Sequence, residues 1–115
     1  MMMSRSEEIP SEHYEQVLFC QFMKRTYPDI RFFAIPSGGL RNKVVAMNLK
    51  AEGVQKGIPD LMIPELHLFI EMKRQKGGVV SPEQKDWITY LKSCGYHAEI
   101  AKGCDEAKII VAKYI

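Results

Sequence analysis

The sequence lacks most of the features that would tie a chain to a membrane, to secretion or to a bound nucleotide. No apolar run approaches the roughly 18 to 20 residues needed to cross a bilayer. No apolar stretch follows Arg5, so a secretory signal is not expected, and residues 1–10 read as a flexible leader. The three cysteines, Cys20, Cys94 and Cys104, form neither an even framework nor a C-x-x-C pair, which predicts reduced thiols in a cytoplasmic protein. His13, His67 and His97 are scattered and match no zinc spacing. No Walker loop or dinucleotide fingerprint is present, so no nucleotide cofactor is expected. Nor does one charge dominate. Sixteen basic and fourteen acidic residues leave +2, with a pI near 8.4. That balance permits a nucleic-acid partner without demanding one, because dedicated binders sit above a pI of about 9.

What is present is an ordinary globular mixture, 46% hydrophobic and 26% charged, unlike a disordered tail. Residues 11–115 have the length of a single domain, with no repeat or linker to divide them. Ser11 is placed to cap a first helix reaching about Arg25, on which Tyr14, Leu18 and Phe22 form an apolar stripe at i+4 spacing. Residues 30–35, short, apolar and aromatic, predict a mostly buried strand. Ser37, Gly38 and Gly39 break it after Pro36, and a second helix is expected over residues 43–52 between Asn42 and Gly53. Residues 60–64 and 68–73 read as two strands joined by a turn at Glu65 and Leu66. Ser81, Pro82 and Gln84 spell a capping box with proline at the first helical position. The helix they open carries Gln84, Trp87, Ile88 and Leu91 on one side, with Trp87 expected in the core, and stops at Gly95. Residues 96–101 alternate as a strand, and residues 105–114 form a closing helix. The order αβαββαβα predicts an α/β or α+β sandwich around a small mixed sheet.

The hairpin carries the chemistry. A two-residue turn pairs Pro64 with His67 and sets Asp60 opposite Glu71, with Cβ atoms about 4.5 to 5.5 Å apart. Alternation puts Lys73 on that same face, while Leu61, Ile63, Leu68, Ile70 and Met72 share the other. Carboxylates so close repel unless a cation separates them, and a hard divalent ion with oxygen ligands resolves the conflict. An adjacent ammonium can then neutralise charge at an attacked phosphorus, which is phosphodiester chemistry. A lone Glu-x-Lys is more often a solvated ion pair. Here it closes an apolar strand eleven residues after Pro59-Asp60.

Pro59-Asp60 followed by Glu71-Met72-Lys73 is the signature of the PD-(D/E)XK nuclease superfamily, with its restriction-endonuclease-like core. Further segments, Ala34-Ile35-Pro36-Ser37-Gly38-Gly39, residues 50–61, Phe69 to Arg74 and Ser81-Pro82-Glu83-Gln84, resemble the VRR-NUC family, especially its compact phage-encoded members. Ser37 departs from the asparagine that many relatives carry before the glycine pair. The resemblance implies a metal-dependent, structure-selective DNA nuclease using Mg²⁺ or Mn²⁺. Its small standalone relatives resemble Holliday-junction resolvases in fold and dimerisation. It implies Asp60 and Glu71 as metal ligands, Lys73 as catalytic lysine, and a further carboxylate from the first helix. Glu12 fits that role best, lying four residues before Gln16, with Glu15 as the alternative. Gln84 matches a glutamine recurring near the site, or serves only the capping box.

Arg41, Lys43, Lys50, Lys56, Arg74 and Lys76 surround the glycine-rich loops and could contact phosphates without reading sequence, or form a solvated surface. The leading expectation is an endonuclease on branched or four-way-junction DNA, working as a homodimer whose twofold axis matches the junction. Val44, Val45, Met47, Val79, Val80 and Ile115 are apolar residues available for that interface. The alternatives are a catalytically silent DNA-binding or dimerisation module, and a restriction-type or flap nuclease on the same core.

Overall fold

The computed structural model describes residues 8–36 and 43–115. Helix α1, Glu12–Thr26, opens where the Ser11 hydroxyl accepts the Tyr14 N–H at 3.1 Å. A two-residue strand β1, Phe33–Ala34, and helix α2, Lys43–Ala51, follow. Strand β2, Leu61–Ile63, and strand β3, Leu68–Lys73, enclose a single 3₁₀ turn, Pro64–Leu66. Helix α3, Pro82–Ser93, strand β4, His97–Lys102, and helix α4, Cys104–Tyr114, complete the chain. The four strands lie in the order β1-β2-β3-β4, antiparallel except for the parallel β3/β4 pair that α3 connects.

The hairpin register follows the reading from alternation: Leu61 opposes Ile70 and Ile63 opposes Leu68. The turn closes through His67 N–H to Pro64 O at 3.0 Å, with His67 held in a left-handed conformation at φ 50°. Leu61, Ile63, Leu68, Ile70 and Met72 are fully buried and meet Phe19 and Met23 of α1 and Ala107, Ile110 and Val111 of α4. Each such side chain contributes about 1.5–3 kcal/mol by leaving water. On the opposite face a smaller cluster packs Ile88 and Leu91 of α3 on Ala98, with Phe69, Trp87 and Ile100 against it.

Three expectations need correction. The strand predicted over residues 30–35 is reduced to Phe33 and Ala34, both exposed, because it is an edge strand with β2 as its neighbour. The core stripe of α1 is Glu15, Phe19 and Met23, one position from the predicted Tyr14, Leu18 and Phe22; Tyr14 is exposed, and Leu18 and Phe22 are only half-buried. Trp87 sits at the margin of the smaller cluster, half-buried, with its ring edge-on to Tyr90. The expected Asn42 cap, Arg41 and the Ser37–Gly39 turn lie outside the described residues.

Candidate active site

The site begins where the sheet pulls apart. The β2/β3 ladder ends at the Leu61–Ile70 pair, so Met72 N–H has no β2 carbonyl to meet, and the Asp60 side chain takes it at 2.7 Å through Oδ2. The Asp60 carbonyl in turn accepts the Ile35 N–H at 2.8 Å. Asp60 is thereby fixed by its side chain to β3 and by its backbone to the end of β1. Its approach is set by Gly57, where φ is +91° and a Cβ would lie 2.7 Å from the Glu83 backbone at the start of α3. Only glycine accommodates both conditions.

Glu71, one step further along β3, is 2% exposed. The Lys73 ammonium lies 3.6 Å from Glu71 Oε2, and its side chain is 9% exposed. Gly78 packs over it, so close that a Cβ would stand 3.3 Å from Lys73 Cβ. From the start of α1, Glu12 completes the group: one carboxylate oxygen each from Glu12, Asp60 and Glu71 fall within 4.8 Å of one another. Glu15 does not join them. It is 2% exposed, with Oε1 accepting the Cys104 N–H at 3.0 Å and Oε2 accepting from Gln75 at 2.8 Å.

Gln84 fills both roles that its sequence position allowed. Its Oε1 accepts the Ser81 N–H at 2.9 Å and its backbone N–H reaches Ser81 Oγ at 3.2 Å, which is the capping box. Its Nε2 also donates to Glu71 Oε2 at 3.0 Å. The cap of α3 therefore holds the amide still while the amide holds Glu71.

The electrostatics follow from crowding three acids into a recess. Burial, reinforced by neighbouring Asp60, pushes Glu71 up to about 8. Burial also raises Asp60, against the pull of the Met72 N–H, and raises Glu12, against the pull of Lys73. At neutral pH the metal-free cluster keeps a proton on Glu71 that a cation would displace. Three carboxylate donors suit a hard divalent ion, Mg²⁺ or Mn²⁺, far better than a soft one. The residues fit such a group.

These side chains floor a cleft of about 680 Å³. Ala46, Leu49 and Lys50 of α2 form one wall, and Lys56, Val79 and Ser81 contribute elsewhere. Lys56 pairs with Glu83 at 3.5 Å across its rim. Of the other basic candidates, Lys43, Arg74 and Lys76 are exposed but do not line the cleft, and Arg41 lies outside the described residues. Gln75 was not singled out from the sequence, because a lone loop glutamine carries no spacing signal.

A model of the VRR-NUC domain matches residues 4–105. The chain belongs to the VRR-NUC family. A solved structure described as a VRR_NUC domain protein is 29% identical, with a TM-score of 0.79 over 94% of this chain and 90% of that one. No curated protein matches the chain. The VRR-NUC assignment makes this a nuclease-type fold, a four-stranded mixed sheet flanked by helices, and DNA the substrate class that such a domain implies. Among the described residues, no helix of this VRR-NUC domain is long and apolar enough to cross a membrane.

Proposed function

We propose that this VRR-NUC domain is a metal-dependent endonuclease that hydrolyses phosphodiester bonds in branched DNA, acting as a homodimer in the cytoplasm. The observation that carries the reading is the convergence of Glu12, Asp60 and Glu71 within 4.8 Å, with the Lys73 ammonium 3.6 Å from Glu71. Glu12, Asp60 and Glu71 would hold Mg²⁺ or Mn²⁺. When bound, the ion supplies charge neutralisation at the scissile phosphate and an acidified water. Lys73, anchored beside Glu71, orients the attacking water and balances the negative charge that grows on the phosphate oxygens. Gln84 keeps Glu71 in place through its amide donor. Lys50 and Lys56 at the cleft, with Lys43, Arg74 and Lys76 outside it, supply sequence-independent attraction for the DNA backbone.

The homodimer is supported by apolar surface that the fold leaves exposed on and near α2, with Val44 67%, Met47 69% and Val79 78% accessible. A flap nuclease on the same site is the second reading. It is favoured by the recess itself: Glu71 and Lys73 are nearly buried where they line the cleft, so the phosphate to be cut must enter it, as a single displaced strand can. One experiment separates the readings. Four-way junction, flap, duplex, single strand and RNA are incubated with Mg²⁺, Mn²⁺ or EDTA, and light scattering reports the mass. Paired symmetric cuts by a dimer support resolution of junctions; single cuts by a monomer support the flap reading. Failure to cut any nucleic acid with either metal leaves the silent binding module.

A further inference from the structure

Glu15 is a carboxylate buried in the core, 2% exposed, and nothing in the site described above uses it. Helix α1 buries one stripe, Glu15, Phe19 and Met23, and a carboxylate occupies the position nearest the site, where leucine would pack. A buried carboxylate is tolerated only where hydrogen bonds replace its water. Here there are two. Oε1 accepts the N–H of Cys104, the first residue of α4, at 3.0 Å. Helix α4 has no side-chain cap of its own, since Gly103 precedes it, so Glu15 caps that helix from a distance of 89 residues in sequence and meets the positive end of its dipole. Oε2 accepts from Gln75 Nε2 at 2.8 Å. Gly103 is squeezed between these groups: a Cβ would come 2.9 Å from Gln75 Cγ and 3.2 Å from Glu15 Oε2, and φ is +93°.

Gln75, and Gly103 next to Cys104, connect Glu15 to Lys73. Gly103 N–H donates to the Lys73 carbonyl at 2.9 Å, and Gln75 lies two residues beyond Lys73. In the other direction, Glu12 is one helical turn before Glu15. Phe19 and Met23, the remaining core residues of α1, lie one and two turns further from the site. We propose that Glu15 is a positioning residue: by clamping the start of α1 to the end of β3 and the start of α4, it sets Glu12 against Asp60 and Glu71. The clamp rests on the reading of those three carboxylates as a metal site, and it ties the two bonds that offset the burial of Glu15, to Cys104 and Gln75, to the placement of Glu12.

The test is the Mn²⁺ affinity of the full chain, measured by calorimetry or electron paramagnetic resonance alongside thermal melting in EDTA. Glu15→Leu fills the space without clamping, and should bind Mn²⁺ about tenfold or more weakly, in the range found when groups supporting metal ligands are lost. Glu15→Gln should recover most of that affinity, because the Gln75 amide can turn to present its oxygen. Gln75→Ala, in an exposed loop residue that leaves the core intact, removes one of the two bonds and should cost a smaller fraction; it stands in if Glu15→Leu does not fold. The decisive comparison is the double variant. If Glu15 acts through Glu12, then adding Glu15→Leu to Glu12→Gln weakens Mn²⁺ no further than Glu12→Gln alone. Full additivity, or wild-type affinity in both folded Glu15→Leu and Gln75→Ala, overturns the clamp while the metal site stands. A wild-type chain that binds no Mn²⁺, or binds it unchanged after Asp60→Asn, overturns the metal reading itself.

Discussion

The two faces of the β2–β3 hairpin are made from alternating residues of the same short strands and are governed by opposite physics: one is wholly buried, and the other mixes buried Glu71 and Lys73 with half-buried Asp60, Met62 and Phe69. Leu61, Ile63, Leu68, Ile70 and Met72 expose nothing, and every one of them gains by that burial. Asp60, Glu71 and Lys73 point the other way, and burial works against the charges of the two acids, holding Glu71 protonated up to about 8. The first face is what makes the second possible. A rigid apolar side, gripped by α1 and α4, lets the hairpin hold acids at a separation they would not choose. One face stores stability, and the other spends part of it on a cation site.

That contrast can be broken most sharply at Asp60. Asp60→Asn keeps the shape and can still accept the Met72 N–H, so we expect cleavage to fall by about three orders of magnitude or more while the circular dichroism spectrum is unchanged. Lys73→Met should follow closely, with kcat lowered about 10²- to 10³-fold, KM nearly constant and metal affinity little altered. Steady-state kinetics on saturating DNA checks this; a normal kcat with a raised KM would move Lys73 to substrate binding. The opposite face should respond in reverse. Ile70→Ala removes a fully buried side chain and should cost about 2–5 kcal/mol in urea unfolding, with activity per folded molecule largely preserved.

A titration in pH sharpens the same comparison. Glu71 holds its proton to about 8 in the folded metal-free chain but would lose it near the ordinary glutamate value of 4.5 when unfolded. The folded state therefore binds the extra proton between those values, and stability should fall as pH rises from about 4.5 to 8. The melting temperature in EDTA should decline over that window, and Mg²⁺ should flatten the decline. Asp60→Asn removes the neighbouring charge and should melt higher than wild type in EDTA at pH 8, a variant that is stabler and inactive.

How much of this was legible in the sequence depended on whether the signal was local. The hairpin register could be read because alternation fixes which residues share a face, and a one-residue slip would have buried Glu71 among Phe19 and Val111. The capping box of α3 was legible for the same reason, since Ser81 and Gln84 need only each other. The second bond of Gln84, to Glu71, is tertiary and was available only as one of two possibilities. The aromatic run at residues 30–35 misled because composition says nothing about cover: Phe33 is apolar but lies on an edge strand, 51% exposed. The face of α1 was displaced by one position because counting apolar residues passes over a buried carboxylate. The spacing to Gln16 favoured Glu12 but left Glu15 open, for what holds Glu15 elsewhere is Cys104 and Gln75, which are remote in sequence from α1.

Whether the acidic face is a cation site is tested by Mn²⁺ titration calorimetry across pH, without any assumption about the DNA. Because the ion must displace the proton on Glu71, affinity should strengthen from pH 6 to pH 8 with proton release into the buffer, and Asp60→Asn should weaken it about a hundredfold. Binding that is independent of pH and unchanged in a folded Asp60→Asn protein would contradict a cation site there.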